Sequence, residues 1–185
     1  KTSCGRREEE EDNKQMIGEQ GGVQSTSYLL KKAEESGLSD EEIGRWKAEA
    51  HFFRAYNYWK LVKTYGGVPK IDIPLNTSSE ELYTPRSSQQ EIIDFIIEDL
   101  DKAIPLLPKQ SGLTAEELGR TTQGAALALK ARAALFEGTW QKYHGMADAG
   151  KYLDLAIQRP KPLSIPRSMN YIARKENSVT NIFIS

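Results

Sequence analysis

The stretch "AEAHFFRAYNYWKLVKTYGGVPKIDIPL", residues 48–75, decides how the chain folds. Six of the nine residues from His51 to Trp59 are aromatic or histidine, and the run ends at a double glycine followed by two prolines. Such a run is either an exposed platform of rings or a helix clasped by neighbours. The helical pattern extends back to Ser39, which with Glu42 has the spacing of a capping box. A helix over 40–65 follows, and at about 1.5 Å per residue it is a rod of roughly 40 Å. Trp46, Ala50, Phe53, Asn57 and Leu61 trace one stripe along it, and Phe52, Tyr56, Trp59 and Val62 trace a second beside the first. Two apolar stripes require two neighbours, so the expected setting is a helical bundle or solenoid.

Gly66 and Gly67 stop the helix, and Pro69 and Pro74 hold "VPKIDIPL" extended. Ser88 with Glu91 repeats the capping spacing and opens a helix in which Ile92, Ile93, Ile96, Ile97, Leu100, Ala103 and Ile104 form one apolar face; Pro105 closes it. "KQSGLTAEELGRT" reads as a loop with at most one helical turn. A fourth helix starts at Thr121 or Thr122; seven of residues 124–134 are Gly or Ala, and Gly124, Ala128 and Ala131 share a face suited to close helix approach. Residues 147–158 make a fifth helix. Ahead of the long helix, "SYLLKKAEES" (27–36) is a short one ended by Gly37. No stretch alternates as a strand, so the fold class is all-α. Helix starts near 27, 40, 88, 122 and 147 are too uneven for a regular array, which leaves irregular hairpins with long insertions.

Composition narrows the function. With 25 Lys and Arg against 26 Asp and Glu, the charge is near zero and favours neither nucleic acid nor an anionic membrane. No apolar run approaches the roughly 20 residues that span a bilayer. The single cysteine, Cys4, excludes an internal disulfide and a cysteine-built metal cluster. "KTSC" followed by "GRREEEEDN" resembles the remnant of a bacterial lipoprotein signal, a lipid-bearing cysteine and a polar tether; the alternative is a lone thiol in a charged tail.

Chemistry-bearing groups are few. His51 and His144 lie 93 positions apart, outside any metal-ligand spacing, and Gly66-Gly67 follows a helix, so it is no phosphate loop. Neither a metal nor another cofactor is expected. Asp94, Glu98, Asp99 and Asp101 could supply a glycosidase pair, but a solvated face opposite the isoleucines accounts for three of the four. Glu49 and Arg54 are charges among aromatics; being five positions apart, they cannot pair, so Arg54 needs a partner elsewhere, whereas Arg45 lies one turn from Glu49. Trp46, Trp59 and Trp140 could stack on sugar rings, although the first two fall on the apolar stripes.

Glu49-Ala50, Phe53-Arg54-Ala55, the aromatic Tyr56 to Trp59 and the Tyr65 to Pro69 exit resemble the signature helix and turn of the SusD/RagB family. "EIIDFIIEDLDKAIPLLP" and "GRTTQGAALALKARAALFEGTW" are similar to that family's next two helices, in the same order, and the resemblance covers roughly residues 28–158. It implies irregular tetratricopeptide-like α-α hairpins. It also implies a non-catalytic lipoprotein on the outer membrane that captures oligosaccharide, or peptide in the RagB branch, for a SusC-type TonB-dependent transporter. Cys4 would carry the lipid anchor, and ligand contacts would lie in variable loops, at residues the sequence does not identify. A helical-repeat module that binds a protein or peptide and no sugar is the alternative.

The expected division is a flexible tether over 1–25, a SusD-like helical domain over 26–158 and an irregular tail over 159–185. That tail, with Pro160, Pro162 and Pro166, departs from the family, whose members carry a large irregular part after these helices. A truncated or frame-disrupted relative, or an isolated fragment, would look like this.

Overall fold

The computed structural model describes residues 20–76 and 78–157. Five helices make up the described fold: α1 over 20–35, α2 over Asp40–Tyr65, α3 over Gln89–Ala103, α4 over Gln123–Tyr143 and α5 over Ala149–Ile157. No strand occurs among the described residues; short 3-10 turns lie at Glu80–Tyr83, Gln110–Gly112 and Ala115–Glu117. The single helical turn expected between α3 and α4 is therefore two. α1 starts before Ser27, so the proposed boundary at residue 25 falls within a helix; residues 1–19 and 158–185, with Cys4 and the irregular tail, lie outside the described residues.

Helix starts are chemically marked. Glu42 accepts from both the backbone N–H and the hydroxyl of Ser39, each at 3.0 Å. At α3, the Ser88 N–H donates to Glu91 at 2.7 Å while the Ser88 hydroxyl accepts from the Glu91 N–H at 3.2 Å. The Thr122 side chain caps α4 by accepting from Ala125 N–H. Each cap satisfies donors that the first turn leaves free.

Each helix runs back along the one before it. Gly22 approaches Asn57 and Ser27 approaches Arg54, pairing α1 antiparallel with α2. Arg54 meets Asp99 and Tyr58 meets Phe95, pairing α2 antiparallel with α3. Gln123 reaches the Ile104 carbonyl and Gln89 reaches Glu137, pairing α3 with α4, and a short turn folds α5 back on α4. This is the irregular hairpin stack that the sequence suggests. Ile92, Ile93, Ile96 and Leu100 have no exposed surface, and burying each large side chain contributes about 1.5–3 kcal/mol.

The two stripes drawn on α2 are only partly the buried ones. Ala50, Leu61, Trp59 and Val62 are buried, but Trp46 and Phe53 are 55% and 46% exposed, and Tyr56 also faces outward. Tyr58, which lies on neither stripe, is only 1% exposed. The reason is that α2 touches α1, α3 and α4 at once, and its most enclosed contacts run through small residues: Ala48 and Ala55 are completely buried. Trp59 meets Phe136 of α4 edge to face at 5.2 Å, and Tyr58 meets Phe95 of α3 in the same manner at 5.4 Å. The small face of α4 is shifted too. Ala128 is exposed, whereas Ala126, Ala133, Ala134 and Gly138 are buried, and a Cβ on Gly138 would stand 3.0 Å from the Leu153 backbone nitrogen of α5.

Candidate functional site

The connector "VPKIDIPL" is pinned by α2 itself. Tyr58 Oη accepts from the Ile71 N–H at 2.7 Å and donates to the Ile71 carbonyl at 3.0 Å, standing in for a strand partner. Burial pushes the Tyr58 hydroxyl up to about 12, more than the hydrogen bond from Ile71 and the nearby Arg54 charge lower it. A folded value above the unfolded one near 10 means that this contribution is complete below pH ~10 and is lost as pH rises toward 12. Tyr58→Phe is expected to destabilise the fold by about 1–2 kcal/mol, by orphaning the Ile71 N–H, and to remove that alkaline loss. Urea titrations at pH 8 and pH 11 check both effects.

Arg54 is the partnered charge that the sequence demanded. Its Nε and Nη2 donate to the two carboxylate oxygens of Asp99, each at 2.7 Å, and its Nη1 donates to the Asp72 carbonyl at 3.1 Å. His51 Nδ1 is 2.9 Å from Asp99 Oδ1. Burial alone would raise the Asp99 carboxyl, but hydrogen bonds and charge from Arg54 and His51 outweigh it and hold the group below its usual value. Asp99 is thus the exception among the carboxylates of α3. The sequence held a signal: Asp99 falls on the Ile92, Ile96 and Ala103 register, a charge inside an apolar face.

Asp94 accepts from Tyr152 Oη at 2.7 Å, and burial first, then this bond, raises the tyrosine hydroxyl. Asp101 pairs with Lys130, and Glu98, at the surface, makes no ion pair among the described residues. Glu49 takes Arg120 Nη2 at 2.8 Å, with Arg45 at 3.6 Å; Arg45 also pairs with Glu117. Arg120 lies over the exposed Trp46 ring at 4.8 Å. Trp59 is core; Trp140 is half-exposed and stacks on His144 at 4.0 Å. No group of three or more His, Cys, Asp or Glu residues could hold a metal among the described residues. Likewise, no described helix is long and apolar enough to cross a membrane.

Two clefts flank the connector. One, of about 560 Å³, is largely apolar, with Val23, Leu61, Val68, Pro69, Ile71 and Leu75 in its walls. The other, of about 600 Å³, is polar and lies between α1, α2, α3 and the connector, reaching His51, Arg54 and Phe95 at its inner end. Sequence reasoning missed both, since each depends on where the connector returns across α2.

A family model for SusD-like proteins, described as "Starch-binding associating with outer membrane", matches residues 20–135. The chain is 25% identical over 171 residues to the starch-binding protein SusD of Bacteroides thetaiotaomicron, covering 88% of this chain and 29% of that protein. A solved SusD-like protein of Bacteroides fragilis is similar at 34% identity and a TM-score of 0.58, over 74% of this chain and 25% of its own. A laminarin-binding SusD-like protein is similar at 27% identity and a TM-score of 0.60, over 80% of this chain and 30% of its own. The chain spans under a third of the length of each of these relatives. The family model spans more than half of the chain and covers α1 to α3 with most of α4, the elements that build both clefts and the Arg54–Asp99 pair, so the chain belongs to the SusD-like family.

Proposed function

We propose that this chain is helical scaffold of a non-catalytic, surface-exposed lipoprotein of the outer membrane, which binds oligosaccharide and hands it to a SusC-type TonB-dependent transporter. The observation that carries this reading is the family match over residues 20–135, whose description joins starch binding to the outer membrane. Likeness to a laminarin-binding protein supports a glycan as ligand. In this reading a segment ahead of α1 tethers the SusD-like helical domain to a lipid on Cys4, and residues 159–185 are not part of that domain. The non-catalytic part is supported by the engagement of the α3 carboxylates: Asp94 with Tyr152, Asp99 with Arg54 and Asp101 with Lys130.

Native gels that carry different polysaccharides test the glycan part. Retardation in at least one is expected; migration unchanged in every polysaccharide would remove it. Release of reducing sugar during incubation would overturn the non-catalytic part. Because ligand contacts in such proteins are proposed to rest largely on loops outside these helices, calorimetry on this chain should show no micromolar affinity for any defined oligosaccharide. A micromolar dissociation constant would contradict that.

A second reading, a module that binds protein or peptide, has one observation in its favour. Trp46, Phe53 and Tyr56 leave an aromatic edge of α2 exposed. Sedimentation separates its simplest form, self-association, from a clean monomer.

A further inference from the structure

The polar cleft beside the connector holds charges that the fold does not use. Phe95 at its inner end carries two cations, the Arg54 guanidinium at 5.0 Å from the ring centre and the Lys70 ammonium at 4.6 Å. One carboxylate, Asp99, answers them, and it belongs to Arg54 through two hydrogen bonds of 2.7 Å. Arg54 has its remaining Nη1 engaged with the Asp72 carbonyl at 3.1 Å and Ser27 at 3.5 Å. Lys70 makes no ion pair among the described residues; Glu91 feels its charge without closing a bridge. His51 is fixed through Nδ1 to Asp99, which leaves Nε2 as its free polar atom. Lys31 and Lys102 stand along the cleft walls with Glu34, Glu98 and Asp72. The walls are therefore mixed in sign, and Lys70 is a cation there without an ion pair among the described residues. A volume of about 600 Å³ is ample for one or two sugar residues.

We propose that this cleft is a subsite for an acidic sugar, whose carboxylate is held by Lys70 Nζ while His51 Nε2, left as an acceptor because Nδ1–H donates to Asp99, takes a neighbouring sugar hydroxyl and the other hydroxyls meet the mixed charges of the walls. Arg54 acts as a positioning residue: by holding Asp99 it orients His51, and it does not touch the ligand. The inference rests on the glycan reading above and adds the charge of the sugar. The Lys70 ammonium favours a carboxylate over a neutral hydroxyl because a charge-assisted hydrogen bond is about twice as strong as a neutral one.

The test is a nuclear magnetic resonance titration of the whole chain with tetragalacturonate, with the neutral tetrasaccharide maltotetraose, and with inorganic sulfate. Tetragalacturonate is expected to shift the signals of His51 and Lys70 in a saturable manner, at least tenfold more tightly than maltotetraose, and to weaken as salt rises from 50 to 500 mM. Lys70→Gln, at an exposed position that leaves the Arg54–Asp99 pair intact, should weaken it at least fivefold with an unchanged spectrum elsewhere. Equal affinity for maltotetraose at this cleft, no shift there with tetragalacturonate, or no loss in Lys70→Gln would each overturn the proposal. Sulfate that matches tetragalacturonate would overturn its sugar part. If neutral polysaccharides retard the chain in gels while tetragalacturonate leaves the cleft unshifted, only this inference fails; if no polysaccharide retards it and neither tetrasaccharide binds, the glycan reading fails as well.

Discussion

Asp99→Ala is expected to lose about 3–5 kcal/mol of stability, the cost of leaving one member of a buried ion pair without its partner. Asp99 has no exposed surface and Arg54 only 5%, so the guanidinium could not rotate into water to recover its lost bonds. His51 would lose its acceptor as well. Urea unfolding measures the loss; a change below about 1 kcal/mol would mean that water reaches Arg54 in the folded state. A second variant separates the worth of the pair from the penalty of breaking it. Replacing both partners by apolar residues of similar volume, Arg54→Met with Asp99→Leu, should recover most of the loss, because burying two charges offsets much of their attraction. Acid has the same target. The folded Asp99 carboxyl lies below its unfolded value near 3.9, so its stabilisation is complete above that value and is lost as pH falls through the folded one. The wild-type chain should therefore lose stability between pH 5 and the lower end of the carboxylate range by more than Asp99→Ala does.

Gly67→Ala is expected to destabilise by about 3 kcal/mol, the upper part of the range for forcing extra atoms into a packed site. A Cβ there would lie 2.1 Å from the Ser87 carbonyl oxygen and 3.2 Å from the Gln89 nitrogen. Both are backbone atoms at the start of α3, so no rotamer change relieves the overlap. The connector would have to move, breaking the Ser87 N–H bond to the Val68 carbonyl, which is 3.1 Å long. Hydrogen exchange at Ser87 should then rise at least tenfold, and unchanged protection would show that the connector tolerates the side chain. Gly66→Ala strains the fold for another reason: Gly66 has φ +69° and ψ −131°, a conformation that L residues rarely adopt. The two adjacent glycines thus answer different demands, one of conformation and one of space.

How much of this was legible depended on how local each cause is. Ser39, Ser88 and Gly66 act within a few residues of themselves, so caps and ends of α2 and α3 could be read from the chain. The isoleucines of α3 share one face and meet one core, so their burial was legible as well. α2 was not, because it faces three helices, and periodicity does not say which apolar position meets which neighbour. Periodicity accordingly puts Trp46 and Phe53 inside, whereas they stand outside, and it gives no sign of Tyr58, which anchors the connector. The demand of Arg54 for a distant partner was readable from its setting, but its identity was not, although Asp99 interrupts an apolar register. On the site, the sequence suggested a family and a glycan, and no residue for either cleft.

The sequence by itself determined the helices, their order and most of their ends, though not the start of α1, because capping, apolar periodicity and proline act over one or two turns. The tertiary structure alone decided that Asp99 rather than any other carboxylate receives Arg54 across 45 residues, that the connector crosses α2 on Tyr58, and that Gly67 lies against Ser87. Those are contacts between segments far apart in the chain, fixed only when α2 is packed between its neighbours, and they shape the clefts on which any ligand would depend.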